Sequence, residues 1–126
     1  MPNPRAKQES LQSELRALIR TLPNAELGPD EMSEEAYFCG RVNFAHFHGP
    51  RHVDVRLSLE DQAKSLAEGR AHPHLWAPRA GWVSCVLEDG RNLDDAKALV
   101  QKAYDHWDEI ASRRRHASIA TSSVPL

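Results

Sequence analysis

Cysteine is scarce in this sequence, and the motifs that anchor several common functions are missing from it. The two cysteines, Cys39 and Cys85, allow at most one disulfide, which excludes a small secreted fold held together by several disulfides. There is no C-x-x-C pair, no glycine-rich phosphate loop and no nucleophile elbow, so no nucleotide cofactor is predicted. We expect both thiols to be free, with Cys39 the more exposed because it precedes a glycine.

Long apolar runs are also missing. No run approaches the ~20 residues that a membrane-spanning helix needs. The polar segment Met1–Arg5 lacks the apolar stretch of a secretory signal. We therefore predict a cytoplasmic protein without a membrane partner.

A strong excess of either charge is absent as well. Sixteen Lys and Arg residues against eighteen Asp and Glu residues give a formal net charge of −2. Domains that bind nucleic acid usually carry a basic excess, so the balance argues against nucleic acid as a partner. What is present is an ordinary globular composition: 126 residues, 40% of them hydrophobic, which suits one domain with its own core.

The spacing of apolar residues predicts helices at both ends of the chain with strands between them. Leu11, Leu15, Leu18 and Leu22 place one apolar stripe on a first helix that begins at Ser10. The other predicted elements are a short strand at 25–27, strands at 36–39, 41–48, 52–58 and 82–87, a helix capped by Ser58 and a last helix capped by Asn92. This order favours an α+β fold of two layers, with an antiparallel-rich sheet and helices packed on one face.

The predicted domain covers residues 10–114 without an internal boundary. Residues 1–9 are polar and contain two prolines, so we expect a disordered N-terminal end. The chain becomes rich in Ser and Thr near its C-terminus, and residues 115–126 are expected to form a flexible tail.

The two central strands are predicted to pair as a β-hairpin. Both alternate between polar and apolar residues, and Gly49-Pro50-Arg51 between them is typical of a turn. A three-residue turn places His48 opposite His52 and His46 opposite Asp54. A two-residue turn would mix polar and apolar residues on each face, so the hydrophobic pattern favours the longer turn.

One face of this hairpin is polar and rich in histidine. Its predicted members are His46, His48, His52, Asp54 and Arg56. Strict alternation adds Val42 and Phe44 to the same face. The opposite face collects apolar residues, and we expect it to pack against the helices.

Several short motifs follow one another in a recognisable order. They are His46-Phe47-His48, Gly69-Arg70-Ala71 with Pro73-His74, and Pro78 with Gly81-Trp82-Val83. Over residues 36–107 the chain resembles the luciferase-domain family, whose pattern has an H-x-H, a G-R-A-E-P-H-H stretch and a P-D-S-G-W-V entry into a strand. This sequence departs from that pattern at His72, where an acidic residue is usual, at Leu75, where a histidine is usual, and at Arg79-Ala80, where Asp-Ser is usual.

The resemblance implies a fold and no particular activity. The strand Trp82-Val83-Ser84 and the helix that carries Tyr104 are also similar to the MmcQ/YjbR family, as a likeness of fold alone.

A divalent metal is the first functional interpretation of the histidine-rich face. His46, His48 and His52 are the candidate ligands, because imidazole suits Zn, Cu, Ni and Fe(II) and Asp54 would complete a facial set.

A small-molecule pocket is the second interpretation, and an interaction module is the third. The candidate pocket comprises His46, His48, His52, Asp54, Arg56, Arg70 and His74. In it, the arginines would pair with a polar or anionic ligand. No residue is assigned a catalytic role, so the question of enzyme activity stays open. As the alternative, a polar and lightly covered sheet face would serve protein–protein interaction or homodimerisation without chemistry.

Overall fold

A computed structural model describes residues 4–31, 33–74 and 80–122, and within these ranges the chain forms three helices and a six-stranded sheet. In chain order the elements are α1 (Pro4–Arg20), β1 (Ala25–Gly28), β2 (Ala36–Cys39), β3 (Val42–His48), β4 (His52–Arg56), α2 (Leu59–Ala67), β5 (His72–Pro73), β6 (Trp82–Val86) and α3 (Gly90–Ser122). The predicted α+β fold class is confirmed. Leu75, Pro78 and Arg79, which belong to the family resemblance, lie outside the described residues.

The sheet has the strand order β1-β2-β3-β4-β6-β5, and each neighbouring pair is antiparallel. The helices α1 and α3 contact each other, and α3 lies against β2, β3, β4 and β6. Leu15 and Ile19 of α1 and Val100 of α3 are buried together with Val53 and Val83 of the sheet. Burial of these apolar side chains is the main force that holds the two layers together.

The central hairpin has the register that the hydrophobic pattern favours. His48 lies opposite His52, and His46 lies opposite Asp54. Val53 and Val55 are fully buried on the helix side. The three-residue turn prediction is therefore confirmed, and the polar residues of both strands share the other face.

A β-bulge in β3 changes the predicted assignment of Phe44. Tyr37 pairs with Ala45 while Phe38 pairs with Asn43, so Phe44 has no partner on β2. The extra residue shifts the alternation by one position. Phe44 is consequently fully buried on the helix side, where its ring meets Tyr104 at 6.1 Å, and its predicted place on the histidine-rich face is wrong.

Both terminal helices are longer than the apolar stripes predicted. α1 begins at Pro4 rather than Ser10, so residues 4–9 of the expected disordered end are helical, and residues 1–3 lie outside the described residues. Proline is well suited to a first helical turn, and the residues after it are good helix formers. α3 runs to Ser122, so residues 115–122 of the expected tail are helical, and residues 123–126 lie outside the described residues.

Two local predictions about helix ends and thiols also need correction. Asp89, rather than Asn92, caps α3, because its Oδ1 accepts a hydrogen bond of 2.9 Å from the Asn92 backbone N–H. Ser58 caps α2 as predicted. Cys39 is buried rather than exposed, and both cysteines are free thiols. Among the described residues, no helix combines the length and apolar character needed to cross a membrane.

Candidate functional site

A row of polar residues crosses the face of the sheet that is turned away from α1 and α3. His46 on β3 lies opposite Asp54 on β4, and Ser84 on β6 is the next residue in the row. His72 on the edge strand β5 lies opposite Ser84. Directly opposed residues project from the same face, so the strand order brings these side chains side by side.

Asp54 is the centre of a compact cluster. Its Oδ2 lies 2.8 Å from Nε2 of His46, 3.3 Å from Nε2 of His48 and 3.2 Å from Nε2 of His74. Its Oδ1 accepts a hydrogen bond of 2.6 Å from Ser84 Oγ. We call His46, His48, Asp54 and His74 the His–Asp cluster. Three of its members, all but His48, are at most 4% exposed.

The loop between β1 and β2 covers the side of His46 that faces away from Asp54. Asp30 Oδ2 in this loop lies 2.9 Å from His46 Nδ1, although Nδ1 makes no hydrogen bond among the described residues. Asp30 is held in place because its Oδ1 accepts a hydrogen bond of 2.6 Å from the Ser33 backbone N–H. Asn43 Nδ2 donates to Asp30 Oδ2, and Trp82 stacks on the imidazole at 4.8 Å. The ring of His46 is therefore restrained on three sides.

His74 reaches the cluster from the end of β5. Pairing of β5 with β6 fixes the backbone at Pro73 opposite Val83, and His74 follows directly. Its ring is 3% exposed and lies 6.1 Å from the ring of Trp82. The two-residue edge strand β5 thus positions the buried imidazole of His74 in a site formed mainly by β3 and β4.

The environment of Asp54 keeps it ionised. Burial alone would raise the pKa of its carboxyl, but hydrogen bonds from His46 and Ser84 and the nearby His74 lower it, so the pKa lies below its ordinary value. Asp54 is therefore a carboxylate at neutral pH.

Within the cluster, His48 combines a lowered pKa with a ring nitrogen that makes no hydrogen bond among the described residues. Burial and the neighbouring His46 lower its pKa, while Asp54 acts in the opposite direction, and the pKa lies below the ordinary 6.5. Its Nε2 is buried and has no hydrogen-bond partner among the described residues. Orphaned polar atoms of this kind are rare in folded proteins and often mark a site for an ion or ligand.

Three members of the cluster have the chemistry and spacing of a metal site. One ligand atom each from His46, Asp54 and His74 lie within 4.8 Å of one another, and all three residues are buried. Ligand atoms about 2.1 Å from an ion stand roughly 3.0 Å apart at neighbouring corners of an octahedron. The distances of 2.8 and 3.2 Å from Asp54 Oδ2 to the two imidazoles are close to that separation.

A cavity of about 430 Å³ opens beside the cluster. This volume is within the range of small-molecule sites. Its described lining residues are His48, His52, Asp54, His72, Pro73, His74, Ser84 and Val86. A molecule in the cavity would contact Asp54 and His74 directly, whereas His46 lies deeper.

The structure brings some of the predicted site residues together and separates others. His46, His48, Asp54 and His74 form the cluster, and His52 lies on the cavity wall as an exposed residue. The two arginines lie elsewhere. Arg56 donates from Nε to the Ala80 carbonyl at 2.8 Å and stacks on Trp107, while Arg70 pairs with Glu68 at 2.9 Å.

Four residues around the cluster were not among the predicted site residues. They are Asp30, Asn43, Trp82 and Ser84. Ser84 had a usable signal, because it belongs to a strong strand prediction and a polar residue there must face away from the core. Asp30 had none, since it lies in a loop distant in sequence from the hairpin.

Comparison with known proteins gives one finding. A family model described as Luciferase domain matches residues 41–103, which is half of the chain. The matched segment contains the whole His–Asp cluster and Ser84, and it leaves Asp30 outside. A search of curated proteins found no match.

Proposed function

The chain belongs to the luciferase-domain family, and from that membership and its buried His–Asp cluster we propose that the domain binds a divalent transition metal ion beside a small-molecule pocket. The ligands are His46, Asp54 and His74. The observation that carries the proposal is the convergence of three imidazole Nε2 atoms on one carboxylate oxygen, at 2.8, 3.2 and 3.3 Å.

The surroundings of His46 support a cation in this cluster. Its Nε2 lies 2.8 Å from Asp54 Oδ2 and its Nδ1 lies 2.9 Å from Asp30 Oδ2, so two carboxylates flank one imidazole. A metal ion bound at Nε2 would supply positive charge between them, and a carboxylate behind a histidine ligand is a common arrangement.

The charges of the cluster favour a divalent ion over further protons. A buried carboxylate is costly unless it is paired, and Asp30 adds a second, largely buried carboxylate on the other side of His46. Two imidazoles and a carboxylate form the set that suits Fe(II), Zn, Ni and related ions. The bound ion would supply open coordination positions to a molecule in the cavity, and neutral His48 would contact the same molecule.

The alternative function, an interaction or homodimerisation module, receives no support from the burial pattern. His46, Asp54 and His74 are covered within one chain, so the centre of this face does not need a second copy to be buried. We therefore favour the metal and ligand site.

Elemental analysis of the untagged protein tests the proposal. After incubation with Zn(II), Ni(II) or Fe(II) and removal of excess ion, the wild type should retain about one ion per chain. The His46→Ala/His74→Ala double variant and the milder His74→Asn variant should lose it. His116→Ala is the matched control, because His116 is exposed on α3 and far along the chain from the cluster.

The outcomes separate clearly. Metal lost by both cluster variants, each with an unchanged circular dichroism spectrum, and kept by the control would support the proposal. A wild type that retains none of the three ions, or a His74→Asn variant that retains as much as the wild type, would overturn it.

A further inference from the structure

A second cavity, of about 640 Å³, lies on the helix side of the sheet. It is formed between the turn that joins β2 to β3 and the C-terminal half of α3. Gly40 in that turn has a φ of +60°, and a Cβ there would lie 3.4 Å from the Ala111 side chain. The close approach of turn and helix closes one wall, and the described lining residues of this cavity all differ from those of the pocket beside the His–Asp cluster.

The base of this second cavity is apolar. Cys39 is buried, and Val42 and Ile110 are partly buried beside it. Burial raises the pKa of the Cys39 thiol to about 12, so the thiol carries no charge at neutral pH and behaves as a small apolar group.

The mouth of the second cavity carries a concentration of positive charge. Arg41, Arg114 and Arg115 line it and are exposed. Within the described ranges, no carboxylate pairs with Arg41 or Arg114, and Arg115 has Asp108 at 3.9 Å. Glu26 is the acidic residue of the described lining. Three guanidinium groups therefore face the opening against one lining carboxylate.

We propose that this second cavity binds a small amphipathic anion, whose alkyl part packs on Val42 and Ile110 and whose carboxylate or phosphate head pairs with Arg41 and Arg114. Guanidinium groups match both heads, because their planar donors form paired hydrogen bonds with two oxygens. The volume is ample for an alkyl chain with such a head. The inference is independent of the metal site.

Calorimetric titration with three probes of equal chain length tests this inference: decanoate, decyl phosphate and decan-1-ol. At least one of the anions should bind saturably and about tenfold or more tightly than the alcohol, because the alcohol offers the same alkyl chain without a charge. The anion that binds more tightly identifies the head. Chemical-shift changes in labelled protein should concentrate at Gly40, Ile110 and Ala111.

Substitution of the arginines completes the test. Arg41→Gln/Arg114→Gln should weaken anion binding about tenfold or more, and both residues are exposed, so the fold should survive. Arg113→Gln is the control, because Arg113 on the same helical turn pairs with Glu109 and does not line the cavity. The inference is overturned if neither anion binds, if the alcohol binds as tightly, or if the double variant matches the wild type.

Discussion

Trp82 is the residue that connects the backbone at the start of β6 to the His–Asp cluster. Its ring stacks on His46 at 4.8 Å with an interplanar angle of 27°. Its carbonyl accepts a hydrogen bond of 3.1 Å from Gln62 of α2. The orientation of the His46 imidazole therefore depends on the backbone path that enters β6, and that path is set by Gly81.

Gly81→Ala should be among the most damaging single substitutions in the chain. Gly81 has a φ of +94°, and an added Cβ would lie 1.9 Å from the Leu57 carbonyl oxygen, while the Leu57 N–H donates to the Gly81 carbonyl at 2.8 Å. We expect the free energy of unfolding in urea to fall by about 3 kcal/mol or more. Gly69→Ala is the control, because Gly69 has a φ of +70° with open space around it and should lose about 1 kcal/mol. Equal losses at the two positions would contradict this account.

At the scale of single residues, short side chains on strands could be placed from the sequence and long ones could not. His46, His48 and Asp54 follow from alternation and turn length, because a strand dictates the direction of each Cβ. Arg56 has the same direction at its Cβ, but its long side chain turns to Trp107. A long, flexible side chain turns toward whichever partner lies nearest in space, and for Arg56 that partner is distant in sequence.

At the scale of elements, a small polar network adds to the apolar contacts that attach α1 to the sheet. Arg16 of α1 donates two hydrogen bonds of 2.7 Å to Glu35, and Tyr37 Oη donates a third, of 2.6 Å, to the same carboxylate. Burial would raise the pKa of Glu35, but the hydrogen bonds from Arg16 and Tyr37 lower it, and the pKa lies below the ordinary 4.5. Glu35 ends the loop between β1 and β2, so the network also anchors the loop that carries Asp30.

Glu35→Gln should remove both stability and part of its pH dependence. Because the pKa of Glu35 is lower in the folded chain, its contribution is fully present above the unfolded value near 4.5 and is lost as the pH falls through the folded value. We expect the variant to lose about 1 kcal/mol at pH 7 and to show a shallower decline of stability in acid. Glu34→Gln, an exposed neighbour, should change neither. Parallel acid declines for wild type and Glu35→Gln would exclude this role.

The elements themselves show where sequence patterns stop being informative. The hairpin was predictable because one face is apolar and a slip of one residue would bury the polar face. The bulge at Phe44 was not predictable, because it depends on how β2 pairs with β3. The sequence of β3 alone shows only that an apolar residue falls on the face that alternation makes polar. The predicted start of α1 was late for a related reason: residues 4–9 form helix without contributing to the apolar stripe.

At the scale of the whole molecule, strand order decides which histidines meet. The chain leaves β4 through α2, forms β5 at the edge, and returns as β6 between β5 and β4. This order places His74 over the row that already holds His46 and Asp54. Composition and periodicity do not encode such an order, so the sequence could name His74 as a candidate pocket residue but could not place it beside His46. The metal-ligand set predicted from the hairpin alone was His46, His48 and His52.

The same topology predicts how metal binding should affect the fold. Ligands on β3, on β4 and directly after β5 would join three segments that are separate in sequence, so an ion binds the folded chain and not the unfolded one. Zn(II) at about 100 times its dissociation constant should therefore raise the free energy of unfolding by roughly 2.7 kcal/mol, and it should slow amide hydrogen exchange at His72 and His74. His74→Asn should abolish both effects, whereas His116→Ala should keep them. Stabilisation that persists in His74→Asn, or protection confined to β3 and β4, would mean that the edge strand β5 contributes no ligand and that the strand order serves only the shape of the pocket.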